Sequence, residues 1–269
     1  MRNHAQYAVL QLHNGEMEYI RFGAGKHTLV MLPGLGDSLR SMKGTALPMA
    51  IMYRKFAKDF TVYVFSRKTQ LPPDYTTQDM AKDQAEAMKI LGIEKADVFG
   101  VSMGGMIAQY LAADHPEKVN KLILAVTSAK PNPILTESVE EWKSCAKQGN
   151  HTAFMESNLR RIYSESYCRK NGWMVPILGK LTKPKSYERF FIQAEACLNH
   201  DSYQYLPRIR ASTLVVGGEK DLALGADASR EIAAQIPNAV LHMYPQWGHG
   251  LYEEAKDFNE MIYGFLMGE

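Results

Sequence analysis

The sequence predicts an α/β protein: a mostly parallel sheet covered by helices on both faces, opened by an antiparallel hairpin and interrupted by a helical cap insertion. Three observations lead there. Short apolar, β-branched runs alternate with stretches of helical period over most of the 269 residues, the pattern of strands joined by crossover helices. Two strand-like runs near the start meet at Asn14-Gly15, a pair that supplies the positive φ angles of a tight hairpin turn. The alternation then fails between about Lys130 and Pro207, where apolar residues keep helical spacing and strand-like runs are few.

In chain order, 7–11 and 17–22 form the hairpin, and strands follow near 28–32, 61–65, 96–101, 121–126, 212–216 and 239–244. Helices near 47–58, 76–91, 103–114, 226–236 and 253–267 separate or follow them. The insertion is bracketed by Pro131-Asn132-Pro133 and Leu206-Pro207 and reads as helices over roughly 136–147, 151–163, 166–178 and 186–198. It carries Trp142, Phe154, Met155, Tyr163, Trp173, Phe190 and Phe191, far more apolar bulk than a linker needs. Most of that bulk belongs to core, and some is expected to line a pocket facing the strand ends. The expected division is 1–130 with 208–269 as the core and 131–207 as the cap.

The apolar run Val98-Phe99-Gly100-Val101 ends in Gly100-Val101-Ser102-Met103-Gly104, with Met106, Ile107, Tyr110 and Leu111 at helical spacing beyond it. A Gly-x-Ser-x-Gly at a strand-to-helix junction exposes the serine oxygen at the sheet's edge, above the positive end of a helix. Ser102 is therefore the candidate nucleophile. A simple N-cap would explain the serine without explaining both glycines. Among eight histidines, His249 lies in the loop Pro245-Gln246-Trp247-Gly248-His249-Gly250 after the last strand and is the candidate base. His115 precedes Pro116 at a helix C-terminus, where a cation is favoured, and His4, His13, His27, His151, His200 and His242 lack a comparable setting. Asp221 follows the strand Thr213 to Gly217 and falls between serine and histidine, as the chain order of such a triad requires; Glu219 competes from earlier in the same turn. The glycine-rich loop Pro33-Gly34-Leu35-Gly36 after the first parallel strand completes the set, with the backbone N–H groups of Leu35 and Met103 as oxyanion donors. Gly34-x-Gly36 lacks the rest of a dinucleotide fingerprint.

Together Pro33-Gly34-Leu35-Gly36, Gly100-Val101-Ser102-Met103-Gly104-Gly105, Gly218-Glu219-Lys220-Asp221 and Gly248-His249 make the chain resemble the α/β-hydrolase superfamily over roughly its whole length. It is most similar to the small, capped, cofactor-free members such as carboxylesterases, enol-lactonases and prolyl iminopeptidase relatives. The resemblance implies a nucleophile at Ser102, an acid at Asp221, a base at His249, oxyanion amides at Leu35 and Met103, and no cofactor or metal. Two segments depart from it: Pro33-Gly34 stands where many relatives have His-Gly, and Phe65-Ser66-Arg67-Lys68-Thr69-Gln70 where many have Asp-x-Arg-Gly-x-Gly. A serine at position 102 disfavours the epoxide-hydrolase and dehalogenase chemistries of this fold, which use a carboxylate there. The expectation is a serine hydrolase acting through an acyl-enzyme on a small ester, lactone or related carbonyl compound. A small-molecule receptor of the same fold is the alternative. An aminopeptidase of the prolyl iminopeptidase type would further need an acidic residue for the free amine, from Glu141, Glu156, Glu165, Glu188 or Glu195.

Composition is that of one globular enzyme, 46% hydrophobic and 22% charged. Cys145, Cys168 and Cys197 are odd in number and without metal-like spacing, which points to reduced thiols. The start, Met1-Arg2-Asn3-His4-Ala5-Gln6, has no apolar signal core, so a cytoplasmic location is the default expectation. A net charge of +2 gives no reason to expect a nucleic acid or membrane partner, leaving a small-molecule substrate. The segment 131–210 does hold 12 basic against 8 acidic residues, which reads as ordinary solvated surface. The oligomeric state is not written in these patterns.

Overall fold

The computed structural model describes residues 5–268, so His4, the first residues of the N-terminal reading and both extreme ends of the expected core lie outside the described residues. Strands β1 (Gln6–Leu12) and β2 (Gly15–Phe22) form the antiparallel hairpin. Leu12 pairs with Gly15, so the turn is His13-Asn14, one residue earlier than the sequence suggests, and Gly15 enters β2 at φ +149°. Then come β3 (His27–Leu32), β4 (Phe60–Lys68), β5 (Ala96–Val101), β6 (Val119–Ala125), β7 (Ser212–Gly218) and β8 (Val240–Tyr244). Their order across one eight-stranded sheet is β1-β2-β4-β3-β5-β6-β7-β8, parallel from β4 to β8. The chain moves one way from β3 to β4 and the other from β5 onward. Its reversal point is thus at the carboxyl ends of β3 and β5, where open α/β sheets form their ligand crevice.

Helices α1 (Ala46–Met52), α2 (Thr77–Ile90) and α3 (Met103–Asp114) cover the first half. Between β6 and β7 stand α4 (Pro133–Lys147), α5 (His151–Ile162), α6 (Glu165–Asn171), α7 (Val175–Leu181) and α8 (Glu188–Leu198), followed after β7 by α9 (Ala226–Gln235), α10 (Leu251–Glu254) and α11 (Phe258–Met267). Two apolar clusters form the interior, one on each side of the sheet. Leu32, Met103, Met106 and Leu124 belong to one with Trp142, Phe154 and Phe190 from the interstrand helices; Phe22, Phe60, Phe99 and Phe258 belong to the other.

Several boundaries differ from the sequence reading. The helix expected over 47–58 stops at Met52, and a separate 3-10 turn occupies Phe56–Lys58. That expected over 166–178 divides at the 3-10 turn Gly172–Met174, and that over 253–267 breaks at Ala255, where ψ is 114°. β4 runs on to Lys68, three residues past its expected end. The polar run Ser66-Arg67-Lys68 looks like loop in sequence, yet all three side chains are buried. Arg67 meets Asp37 at 3.5 Å and Lys68 meets Asp83 at 3.3 Å, so carboxylates reached only in the fold neutralise them.

Candidate active site

Ser102 follows β5 directly and stands at φ 54°, ψ −121°, a conformation that an L-residue holds only under constraint and at a cost of about 1–3 kcal/mol. The constraint is visible in its hydrogen bonds. Its N–H donates to the Ala125 carbonyl at 2.9 Å, and its own carbonyl accepts from Gly105 N–H at 2.8 Å and from Thr127 Oγ1 at 2.7 Å. The flanking glycines are demanded by contact. A Cβ on Gly100 would fall 2.5 Å from the Gly104 oxygen, and one on Gly104 would fall 1.9 Å from the Leu32 oxygen.

The loop after β3 lies against this turn: a Cβ at Gly34 would sit 3.3 Å from Ser102 Cβ and 3.8 Å from its Oγ. Leu35 begins a 3-10 turn (Leu35–Leu39) and Met103 begins α3, so neither N–H has an acceptor within its own helix.

Asp221 and His249 stand in the loops after β7 and β8, on the same edge of the sheet as Ser102. Asp221 Oδ2 is 2.8 Å from His249 Nδ1, while Oδ1 accepts from the N–H groups of Ala223 at 2.8 Å and Leu224 at 2.9 Å. Both side chains are buried. An ionised carboxylate only accepts, so the imidazole proton sits on Nδ1 and Nε2 is left as the basic nitrogen. The two loops are tied together, with Lys220 N–H donating to Trp247 O at 3.1 Å and Glu219 N–H to Tyr244 O at 3.0 Å. The competing carboxylate, Glu219, pairs instead with Arg230 on α9. No hydrogen bond joins Ser102 Oγ to His249 among the described residues; catalytic contacts of this kind commonly tighten only with substrate bound.

Sequence reasoning missed the group that holds the Leu35 loop. The guanidinium of Arg67 donates from Nη2 to the Pro33 carbonyl at 2.6 Å, and Ser66 Oγ donates to Asp37 Oδ2 at 2.7 Å. Arg189 of α8 lies 3.9 Å from the same carboxylate oxygen and donates to the Arg67 carbonyl at 3.3 Å. The available signal was Asp37 in a glycine-rich loop together with a basic residue at the end of the neighbouring strand.

The helices between β6 and β7 also anchor the other two loops. Gly250 N–H, next to His249, donates to Ile162 O at 2.6 Å, and Tyr163 OH donates to Glu253 at 2.9 Å. Arg161 joins Glu137, Glu141 and Ser138 of α4 and reaches the Leu222 carbonyl, one residue past Asp221, at 3.3 Å. At the base of this helical segment the outgoing and returning chains meet, Ser202 N–H donating to Ala129 O at 2.8 Å. Buried His200 sits between Thr77 Oγ1 at 2.8 Å and Ser202 Oγ at 3.2 Å, edge-on to Tyr110.

Of the bulky residues expected to divide between core and pocket, Trp142, Phe154 and Phe190 are buried in the shared core, whereas Trp173 is largely exposed. A cavity of about 980 Å3 opens between α5, α6, α7 and the loops after β7 and β8, lined by Tyr163, Cys168, Val175, Leu222, Trp247 and Gly248. It reaches the outer side of the His249 loop; Ser102 does not line it. Glu141, Glu165 and Glu195 are engaged by Arg161, Arg169 and Lys143. Glu156 lines the cavity and Glu188 is exposed. His115 ends α3, 3.8 Å from Glu117, away from the triad candidates. No helix among the described residues is long and apolar enough to cross a membrane.

Comparison with known proteins gives a consistent result. The family described as the alpha/beta hydrolase fold matches residues 27–256. A Caulobacter sp. (strain K31) protein provisionally named as the carbamate hydrolase RutD is 25% identical over 247 residues, covering 91% of this chain and 92% of that protein. The mouse (Mus musculus) protein named serine hydrolase BPHL is 26% identical over 280 residues, covering 97% of this chain and 86% of its own. Among solved structures, MGS-M2, an alpha/beta hydrolase enzyme from a Medee basin deep-sea metagenome library, superposes with a TM-score of 0.85 at 24% identity, covering 97% of this chain and 98% of that one.

Proposed function

The chain belongs to the alpha/beta hydrolase family, and from that premise we propose that it is a serine hydrolase of small esters or lactones, with Ser102 as nucleophile, His249 as base and Asp221 as its orienting acid. The observation that carries this reading is the serine held at φ 54° on the sheet edge that also bears a buried imidazole–carboxylate pair. Strain of that kind persists where the surrounding structure enforces it, and a simple N-cap has no use for it. With Nδ1–H on Asp221, Nε2 takes the Ser102 proton as Oγ attacks the substrate carbonyl. The resulting oxyanion is stabilised by the N–H groups of Leu35 and Met103, each worth about 3 kcal/mol. Collapse expels the alkoxide, which leaves with the proton from His249, and Ser102 keeps the acyl group. Water, deprotonated by His249, then attacks the acyl-enzyme, and the proton returns to Ser102 as the acid departs.

We place the helices within 131–207 as a cap, because they reach Asp37 of the Leu35 loop through Arg189, the Asp221 loop through Arg161 and the His249 loop through Ile162. Of the five acidic residues an aminopeptidase could use, Glu141, Glu165 and Glu195 are committed to basic partners. Turnover of a panel of p-nitrophenyl esters and lactones by wild type and Ser102→Ala tests the assignment. Hydrolysis by wild type and a loss of about 10⁴-fold or more in the variant is expected. Saturable binding of the panel without turnover would replace it with the receptor reading.

A further inference from the structure

The 3-10 turn Gly172–Met174 and α7 together carry an apolar stripe that none of the described residues covers. Trp173, Ile177 and Leu181 are 69%, 54% and 76% exposed, and Leu178 beside them is 37% exposed. The spacing of the first three is i, i+4, i+8, one face of a helix. Val175 and Gly179 are buried on the opposite face, and a Cβ at Gly179 would lie 2.6 Å from Thr152 Oγ1, so that side is the one α7 docks on α5. The exposed stripe therefore points away from the body of the protein.

Its chemical setting selects a partner. Between 169 and 185 the chain holds Arg169, Lys170, Lys180, Lys183 and Lys185 and no acidic residue, and all five are exposed. Arg169 is engaged by Glu165, but no ion pair is formed by the four lysines among the described residues. The whole-chain net charge of +2 conceals this local excess. An exposed apolar face rimmed by cations fits the boundary of an anionic bilayer, where the rings and branched side chains enter the acyl region and the ammonium groups remain at the headgroups. Self-association fits poorly, because two copies joined through this face would bring two sets of five cations together.

We propose that Trp173, Ile177, Leu178 and Leu181, with Lys170, Lys180, Lys183 and Lys185, form a surface that docks the protein on anionic lipid membranes. The test is co-sedimentation of the full chain with vesicles of neutral phosphatidylcholine and with vesicles containing phosphatidylglycerol, with Trp emission recorded in parallel. Binding to the anionic vesicles is expected, with a blue shift from Trp173 and weakening in high salt. Each lysine lost should weaken partition about fivefold, so Lys180→Glu with Lys183→Glu should lower it by about twentyfold or more. Trp173→Ser with Leu181→Ser should abolish the blue shift while leaving hydrolysis of a soluble p-nitrophenyl ester at the wild-type rate. Absence of binding to anionic vesicles, or equal binding to neutral ones, overturns the proposal. So does a dimer in analytical ultracentrifugation that Trp173→Ser with Leu181→Ser converts to monomer.

Discussion

The carboxyl-edge loops of the sheet and the helices between β6 and β7 are built on different principles. At that edge, main-chain geometry dictates residue type: Gly100 at the end of β5 and Gly104 at the start of α3 because backbone passes within van der Waals range, Asp221 because two amides and an imidazole converge on one carboxylate, while Ser102 between the glycines holds φ 54°. In the helices, Trp142, Phe154 and Phe190 serve by volume and shape, joining a core that continues to Met103 beside Ser102. Substituting the polar side chains Ser102, Asp221 and His249 should therefore cost rate with little stability, and substitutions in the helices the reverse.

The sharpest way to break that contrast is at His249. His249→Ala should lower kcat/KM on a short p-nitrophenyl ester by about 10⁴ to 10⁶-fold while cooperative thermal unfolding is retained. A variant that loses activity only because it no longer folds would erase the distinction. Asp221→Asn keeps the shape of the acid but turns the imidazole to the wrong tautomer, and a loss of about 10³ to 10⁴-fold in kcat is expected from steady-state kinetics. In the helices, Phe190→Ala empties a fully buried site touching Phe154 and Phe191, and should cost about 3–5 kcal/mol in urea unfolding. Its kcat at a temperature where it remains folded should stay within about tenfold of wild type.

The smallest effect belongs to the base of the helical segment. Burial holds the His200 pKa down at about 3, against 6.5 in the unfolded chain, so the imidazole is neutral in the fold. Below pH 6.5 the unfolded chain takes up a proton that the folded one refuses, and stability is lost as pH falls through that point toward 3. Comparing wild type with His200→Gln, the difference in unfolding free energy should move against wild type by about 2 kcal/mol between pH 7 and pH 5. The opposing contribution of Asp83, whose carboxyl is raised to about 6 by burial, is common to both proteins and cancels. A pH-independent difference would mean that His200 is solvated.

The succession of strands and helices along the chain, the hairpin and the interruption after β6 were legible because they follow from period and turn chemistry, which are local; the order of the strands across the sheet was not. The placement of Ser102, Asp221 and His249 at the carboxyl edge of the sheet was legible, because their backbone setting leaves traces in neighbouring glycines and in position after a strand. Arg67 was not, since its partner Asp37 lies 30 residues away and Arg189 on a helix beyond β6, and only the fold brings all three to the Pro33 loop. Lys68 misled for the same reason, its partner Asp83 lying on α2. Trp173 was grouped with the packing aromatics because an apolar residue in a helix cannot announce which face its neighbours leave open. The four lysines near it looked scattered: Lys170 lies on α6, Lys180 on α7, and Lys183 and Lys185 in the segment after it.

The direct test of the central claim is covalent labelling with a fluorophosphonate, followed by intact mass and peptide mapping. One adduct per chain, located on Ser102 and absent from Ser102→Ala, is the predicted result. Undiminished labelling of Ser102→Ala, an adduct on another residue, or a wild-type protein that does not react would contradict it.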